Sequence, residues 1–166
     1  MRKRGILAVL LALALLGAAV PALADTFLSI ATGGTSGTYY PLGGDIAGLF
    51  NTAIEGVKAN AQATGGSAEN LRLIDGGEAE LATVQNDVSA YAFGGVDAFE
   101  GEVIDSFSVV TSLYPEIIHL VARSDSGIET IEDLKGKRVS VGAAGSGTYF
   151  NAVHLLSAVS MTLDDI

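Results

Sequence analysis

Short apolar runs alternate with amphipathic segments along the chain after residue 24. The runs Phe27 to Ala31 (FLSIA) and Gly56 to Thr64 (GVKANAQAT) are typical of β-strands. Each is followed by apolar residues at helical spacing, first Leu42, Ile46, Leu49 and Phe50, then Leu71 and Ile74. This alternation predicts an α/β fold with a largely parallel sheet.

Further apolar runs extend the pattern towards the C-terminus. Four of them predict strands, over residues 80–85, 106–114, 116–122 and 138–142. Ser67 is placed to cap one helix, and Asn86 or Asp87 to cap the next. A short helical turn is expected to end at Gly136. The last helix presents one apolar face, made of Ala152, Leu155, Leu156 and Val159.

Two of the strand-to-helix junctions carry nearly the same residues. They read ATGGTSGTYYPLGG over residues 31–44 and VGAAGSGTYFNA over residues 141–152. Glycines allow a ligand close to the backbone, and the N–H groups at the start of the next helix favour an anion. The junctions add hydroxyl and aromatic side chains from Ser36, Thr38, Tyr39, Ser146, Thr148 and Tyr149. They predict a site for a carboxylate or phosphate, with a plain turn and helix cap as the alternative.

Known phosphate and nucleophile motifs do not fit these junctions. Gly147 stands where a P-loop needs lysine, and Phe150 where the dinucleotide motif needs its third glycine. No Gly-x-Ser-x-Gly elbow occurs. Because the chain has no cysteine, and neither His119 nor His154 has an acidic partner at ligand spacing, we expect no metal site and no cofactor.

The first 24 residues have the pattern of a secretory signal peptide, with a membrane anchor as the alternative. Three basic residues precede an apolar run, and Ala22-Leu23-Ala24 supplies a small-x-small cleavage site. Removing them takes three of the nine basic residues and none of the nineteen acidic ones, which leaves a net charge of −13. Such a charge argues against nucleic acid as a partner.

Taken together, the signal peptide, the two glycine-rich junctions and the segments AELATVQNDVSAYAF and DLKGKRVSVG resemble one family. This is the TAXI family, the substrate-binding proteins of TRAP (tripartite ATP-independent periplasmic) transporters. The resemblance implies a periplasmic-binding-protein-like α/β fold of type 2, with two lobes joined by hinge strands. It also implies that each lobe contributes one glycine-rich junction to the cleft between them, which accounts for the repeat.

The resemblance also implies a division of the chain. A signal peptide is expected over residues 1–24, the first part of lobe 1 over 25–114, and the hinge with the start of lobe 2 over 115–166. Proteins of this family are about twice as long, so we expect the chain to represent the N-terminal half of such a receptor.

By match to the family motifs, the ligand-binding candidates come from both expected lobes. They are Gly34, Ser36, Gly37, Thr38, Tyr39, Gln85, Asn86, Ser146, Gly147, Thr148 and Tyr149. The resemblance implies a monomeric periplasmic receptor that is not an enzyme. It would bind glutamate, glutamine or a related small carboxylate and deliver it to TRAP transporter membrane subunits. Two alternatives stay open, a secreted enzyme with a similar two-lobed fold and a sensory ligand-binding domain.

Overall fold

A computed structural model describes residues 25–166, and the signal-peptide prediction therefore lies outside the described residues. Three parallel strands form one sheet in the order β2-β1-β3. They are β1 (Thr26–Ala31), β2 (Val57–Gln62) and β3 (Leu81–Ala82). Strand β1 pairs with β2 along its whole length and with β3 only through Ile30 and Ala31.

Within the described residues, four α-helices accompany the sheet. They are α1 (Tyr39–Ala53), α2 (Ser67–Asp75), α3 (Asn86–Gly94) and α4 (Gly147–Ala158). Short 3₁₀ turns cover Asp97–Phe99, Glu132–Leu134 and Leu163–Asp165. Within residues 25–166, none of the helices combines the length and the apolar character that crossing a bilayer requires.

Helix α1 lies close to the sheet because its second turn has a glycine, Gly43, where it meets the strands. A Cβ at Gly43 would collide with the methyl group of Thr32 and would lie 3.7 Å from a methyl group of Ile30. The neighbouring Gly44 has no atom within 4 Å of such a Cβ. The small residue at position 43 therefore sets the distance between helix and sheet.

The carboxyl ends of the three strands are joined by one buried side chain. The Asn70 amide on α2 donates hydrogen bonds to the carbonyl oxygens of Thr32 (2.5 Å) and Thr83 (2.8 Å). Its Oδ1 accepts one from the hydroxyl of Thr64 at 2.6 Å. Thr32, Thr64 and Thr83 follow β1, β2 and β3 respectively, so Asn70 fixes the edge of the sheet from which the loops leave.

Helix α4 packs against the helices of the N-terminal part of the chain. Phe150 is 2% exposed and belongs to an apolar cluster with Leu71 of α2 and Val88 of α3. The other end of α4 supports a second cluster, in which Leu156 packs with Leu134 and Met161. The helix therefore connects two apolar clusters and brings its own first turn to the strand ends.

The strands expected over residues 106–114, 116–122 and 138–142 are absent, and this part of the prediction was wrong. Residues 105–122 run as extended chain, and none of their backbone groups bonds to another backbone group of the described chain. Many of their apolar side chains are exposed, including Val110 and Val121. The β-branched composition was read correctly, but a strand also needs a partner, and these segments have none within residues 25–166.

The boundaries of the other elements differ only slightly from expectation. The cap of α3 is Gln85, and not Asn86 or Asp87, which lie in its first turn. Strand β3 is limited to Leu81–Ala82 instead of the whole of 80–85. Gly66 occupies the cap position of α2, with φ 111°, and Ser67 is the first helical residue. The Ser67 hydroxyl instead accepts a hydrogen bond from the backbone N–H of Gln85 at 3.1 Å.

Candidate ligand-binding site

The first glycine-rich junction leads from β1 into α1 and is open to solvent. The N–H of Gly37 donates to the carbonyl of Gly34 at 2.9 Å, which closes a turn. Gly34, Ser36, Gly37 and Thr38 are exposed, whereas Tyr39 is half-buried. No side chain caps α1 at Thr38. The N–H groups of its first turn are therefore not occupied by a side-chain cap.

The second glycine-rich junction packs on the loop between β2 and α2. The carbonyl of Gly145 accepts a hydrogen bond from the N–H of Ala68 at 3.2 Å. A Cβ at Gly66 would lie 3.3 Å from the Cα of Ser146, so the two loops touch through backbone. The Ser146 hydroxyl caps α4 by accepting from the N–H of Tyr149 at 3.2 Å. The start of α4 is thus held at the carboxyl edge of the sheet.

Gln85 connects α3 to α4 at this edge. Its side-chain nitrogen donates to a carboxylate oxygen of Asp87 and to the amide oxygen of Asn151, both at 3.0 Å. Gly147 is buried against its side chain. Asn86, the next residue, is exposed. Of this predicted pair, only Gln85 points towards α4.

Glu116 lies beside the first junction, although it is distant in sequence. Its Oε2 accepts a hydrogen bond from the Tyr39 hydroxyl at 3.0 Å, and its Oε1 lies 3.5 Å from the Tyr114 hydroxyl. The two tyrosine rings meet edge-on with centroids 6.5 Å apart. Burial, and then the charge of Glu116, raise the pKa of Tyr39 well above its usual range. The phenol therefore stays protonated and acts as a donor to Glu116.

A groove of about 230 Å³ separates the extended segment 116–120 from α4. Its walls are mostly apolar side chains of that segment, of residues 131–141 and of α4. Six polar side chains interrupt them, namely Gln85, Glu116, His119, Ser140, Thr148 and Asn151. An apolar groove with a few polar groups that converge on it is the usual form of a small-molecule site.

The predicted residues divide into three groups around this groove. Gln85 and Thr148 line it, and Tyr39 reaches it through Glu116. Ser146 and Gly147 hold the start of α4 in place beside it. The remaining residues do not line the groove. Gly34, Ser36, Gly37, Thr38 and Asn86 are exposed outside it. Tyr149 packs next to Phe150 in the apolar cluster.

Glu116, Tyr114 and Asn151 were not among the predicted site residues. Glu116 and Tyr114 flank Pro115, within the stretch that was interpreted as strands. The break at Pro115 was the available signal, because polar groups beside a break in a strand pattern are free to face a cleft. Residues 25–166 hold no group of three or more histidines and carboxylates that could bind a metal ion.

These features define a class of protein. A mixed α/β fold with a small parallel sheet, and with polar loops at the carboxyl ends of its strands, fits a periplasmic-binding-protein-like fold. A family model described as the NMT1-like family matches residues 30–166, and the chain belongs to this family. The family is periplasmic-binding-protein-like and indicates a substrate-binding protein.

Proposed function

We propose that the chain is a TAXI-type receptor, exported to the periplasm, that binds a small carboxylate and delivers it to a TRAP-type transporter. The observation that carries the proposal is the groove that Gln85, Thr148 and Glu116 line together. The second glycine-rich junction contributes Thr148 to its lining, and the first acts only indirectly, through the hydrogen bond from Tyr39 to Glu116. The motif resemblance, rather than the family match, is what favours TAXI and TRAP.

The chemistry of the groove suits a short anionic ligand. The first turn of α4 presents backbone N–H groups and the positive end of the helix dipole, which attract a carboxylate. Thr148 stands in that turn and adds a hydroxyl that donates or accepts. A volume of about 230 Å³ lies below the usual range for drug-sized ligands, so a ligand of a few carbon atoms fits best.

The same side chains support binding rather than catalysis. A nucleophilic enzyme needs a hydroxyl or thiol hydrogen-bonded to a base. Thr148 and Ser140 supply hydroxyls to the groove and His119 an imidazole, but no hydrogen bond joins either hydroxyl to His119 in the described chain. Glu116, the carboxylate of the lining, is engaged by tyrosine hydroxyls instead.

A calorimetric screen of the purified protein against amino acids and short organic acids tests the proposal. We expect at least one small carboxylate to bind with a dissociation constant in the micromolar range or below, and uncharged amides of the same acids to bind much more weakly. If no carboxylate binds, or if acid and amide bind equally, the proposal is wrong. Loss of carboxylate uptake in cells that lack the gene would link the receptor to transport.

A further inference from the structure

Strand β2 lies at one side of the three-stranded sheet, and within the described residues its outer edge has no neighbouring strand. The carbonyl of Gln62 faces β1, since it accepts a hydrogen bond from the N–H of Thr32 at 3.0 Å. The backbone groups of successive residues in a parallel strand point to alternate sides, so those of Ala59 and Ala61 point away from β1. An edge of this kind is a template on which a strand of another chain pairs.

A side chain of α1 occupies the middle of this edge. Asn51 lies in the last turn of α1, and its Oδ1 accepts a hydrogen bond from the N–H of Ala59 at 2.6 Å. Its Nδ2 donates to the carbonyl of the same residue at 2.9 Å. A directly opposed residue of an antiparallel strand exchanges the same two hydrogen bonds. The Asn51 amide therefore takes the place of a neighbouring strand at Ala59.

Little of the edge stays open while Asn51 is in place. The N–H of Val57 donates to the carbonyl of Ile54 at 3.3 Å, within the turn that leads into β2. Ala61 is then the one outward residue of β2 whose N–H and carbonyl make no hydrogen bond in the described part of the chain. The exposed Lys58 adds a charge beside Ala59, which also discourages pairing.

The chain contains a segment with the composition of a pairing strand. Residues 106–114 (SFSVVTSLY) carry neither charge nor proline, and Val109 and Val110 are 80% and 82% exposed. The segment is extended, and none of its backbone groups bonds to another backbone group of residues 25–166. High β-propensity, low charge and free backbone groups favour addition to a sheet edge. Every copy of the protein supplies this segment at the concentration of the edge itself.

We infer that Asn51 keeps the outer edge of β2 closed to residues 106–114 of a second copy, and so prevents the protein from associating through its sheet. Without the Asn51 side chain, Ala59 and Ala61 together present two donors and two acceptors. These suffice for two hydrogen-bonded positions of an antiparallel partner. The closure of this edge is independent of the groove and of its ligand.

Asn51→Ala and Asn60→Ala form a matched pair of variants that tests this role. Asn60 is exposed on the same strand, but its backbone groups point towards β1. Sedimentation velocity at about 1–100 μM protein measures self-association. We expect Asn51→Ala to strengthen self-association at least about 10-fold over the wild type, as for two hydrogen bonds gained. Asn60→Ala should leave it unchanged.

Two further measurements distinguish pairing at the edge from association of a destabilised chain. Ala61→Pro removes a donor from the edge, at a position where proline is tolerated because the N–H faces away from the sheet. Added to Asn51→Ala, it should return self-association to the wild-type level. In Asn51→Ala alone, hydrogen exchange should show protection at Ala61 and in residues 106–114 that rises with protein concentration.

Self-association of Asn51→Ala that equals that of the wild type, or that persists undiminished with Ala61→Pro, would overturn the role of Asn51. Exchange in residues 57–62 that does not depend on concentration would do the same, and this measurement does not require the double variant to fold. Protection that rises in β2 but not in residues 106–114 would overturn the assignment of the partner segment.

Discussion

The backbone of Gly147 lies directly against the side-chain amide of Gln85. A Cβ at position 147 would meet Oε1 of Gln85 and would lie only 2.7 Å from its Cδ. The Gln85 amide is itself held by Asp87 and Asn151. The Gln85 amide therefore occupies the space that a side chain at position 147 would fill.

The first prediction concerns this contact. Gly147→Ala should displace the Gln85 amide and lower the free energy of unfolding by about 1–2 kcal/mol, because its two hydrogen bonds are lost. Gly44→Ala is the matched control, since a Cβ there has open space around it. Inside α1 it should raise stability by about 0.5–1 kcal/mol. Urea unfolding of both variants measures the difference, and shifts of the same sign would contradict the prediction.

The second prediction concerns the buried Asn70. Asn70→Asp keeps the shape but places a carboxylate oxygen against the carbonyls of Thr32 and Thr83, which need a donor. We expect a loss of at least about 2 kcal/mol in chemical unfolding at pH 7. Asn60→Asp makes the same change on the exposed face of β2 and should cost far less. Similar losses in the two variants would show that Asn70 does not join the strand ends.

The third prediction concerns the junction hydroxyls. Thr148→Val should weaken binding of the best carboxylate by about one to two decades, because Thr148 lines the groove and a hydrogen bond to a charged group is lost. Thr38→Val is the matched control from the other junction, since Thr38 is exposed and does not line the groove, and it should leave the affinity nearly unchanged. Calorimetry that found unchanged affinity in Thr148→Val would leave the second junction as a plain turn.

The fourth prediction concerns acid stability. Hydrogen bonds from the backbone N–H groups of Glu129 and Thr130, and then from the Thr130 hydroxyl, hold the pKa of Asp133 below its usual range. The native state therefore favours the carboxylate, and its contribution is present above about pH 4 and lost as the pH falls through the lowered pKa. Asp133→Asn should lower the melting temperature at pH 7.

The difference between the wild type and this variant should then shrink as the pH falls from 5 towards 2, since protonation removes the same contribution from the wild type. Asp105→Asn serves as the control, because the Asp105 carboxylate is exposed and accepts no hydrogen bond within the described residues. A difference that stayed constant with pH would contradict the assignment to Asp133.

The fifth prediction concerns export. If the chain carries a cleavable signal peptide, protein from the periplasmic fraction should begin at Asp25, and intact mass spectrometry will measure this. Ala24→Leu should block cleavage, because the position before the cut needs a small residue. Recovery of the wild type in the membrane fraction with residues 1–24 still attached would contradict the proposal that the signal peptide is cleaved.

The sequence predicted those parts of the fold that depend on local pattern. Strands β1 and β2, helices α1 to α4 and their order along the chain follow from apolar spacing and turn residues. The extended segment was predicted wrongly, because Val109 and Val110 favour a strand whereas pairing depends on a distant partner. The two-lobed arrangement and the limits of the lobes remain predictions.

The candidate site shows the same division between local and distant causes. Gln85 and Thr148 were found because each lies where a strand pattern gives way to a helix. Glu116 was missed because its partner, Tyr39, lies 77 positions away, and no local pattern reports such a contact. The buried Asn70, which joins all three strand ends, was missed for the same reason.

The strand order has a consequence for synthesis of the protein. Strand β1 lies in the centre of the sheet and leaves the ribosome before both of its neighbours. At about 5–20 residues per second, the roughly 50 residues from Ala31 to Ala82 take several seconds to appear. Until β2 appears, β1 has no strand on either side, and until β3 appears it still has one unpaired edge. For those seconds, an unpaired edge of β1 is open to pairing with other chains.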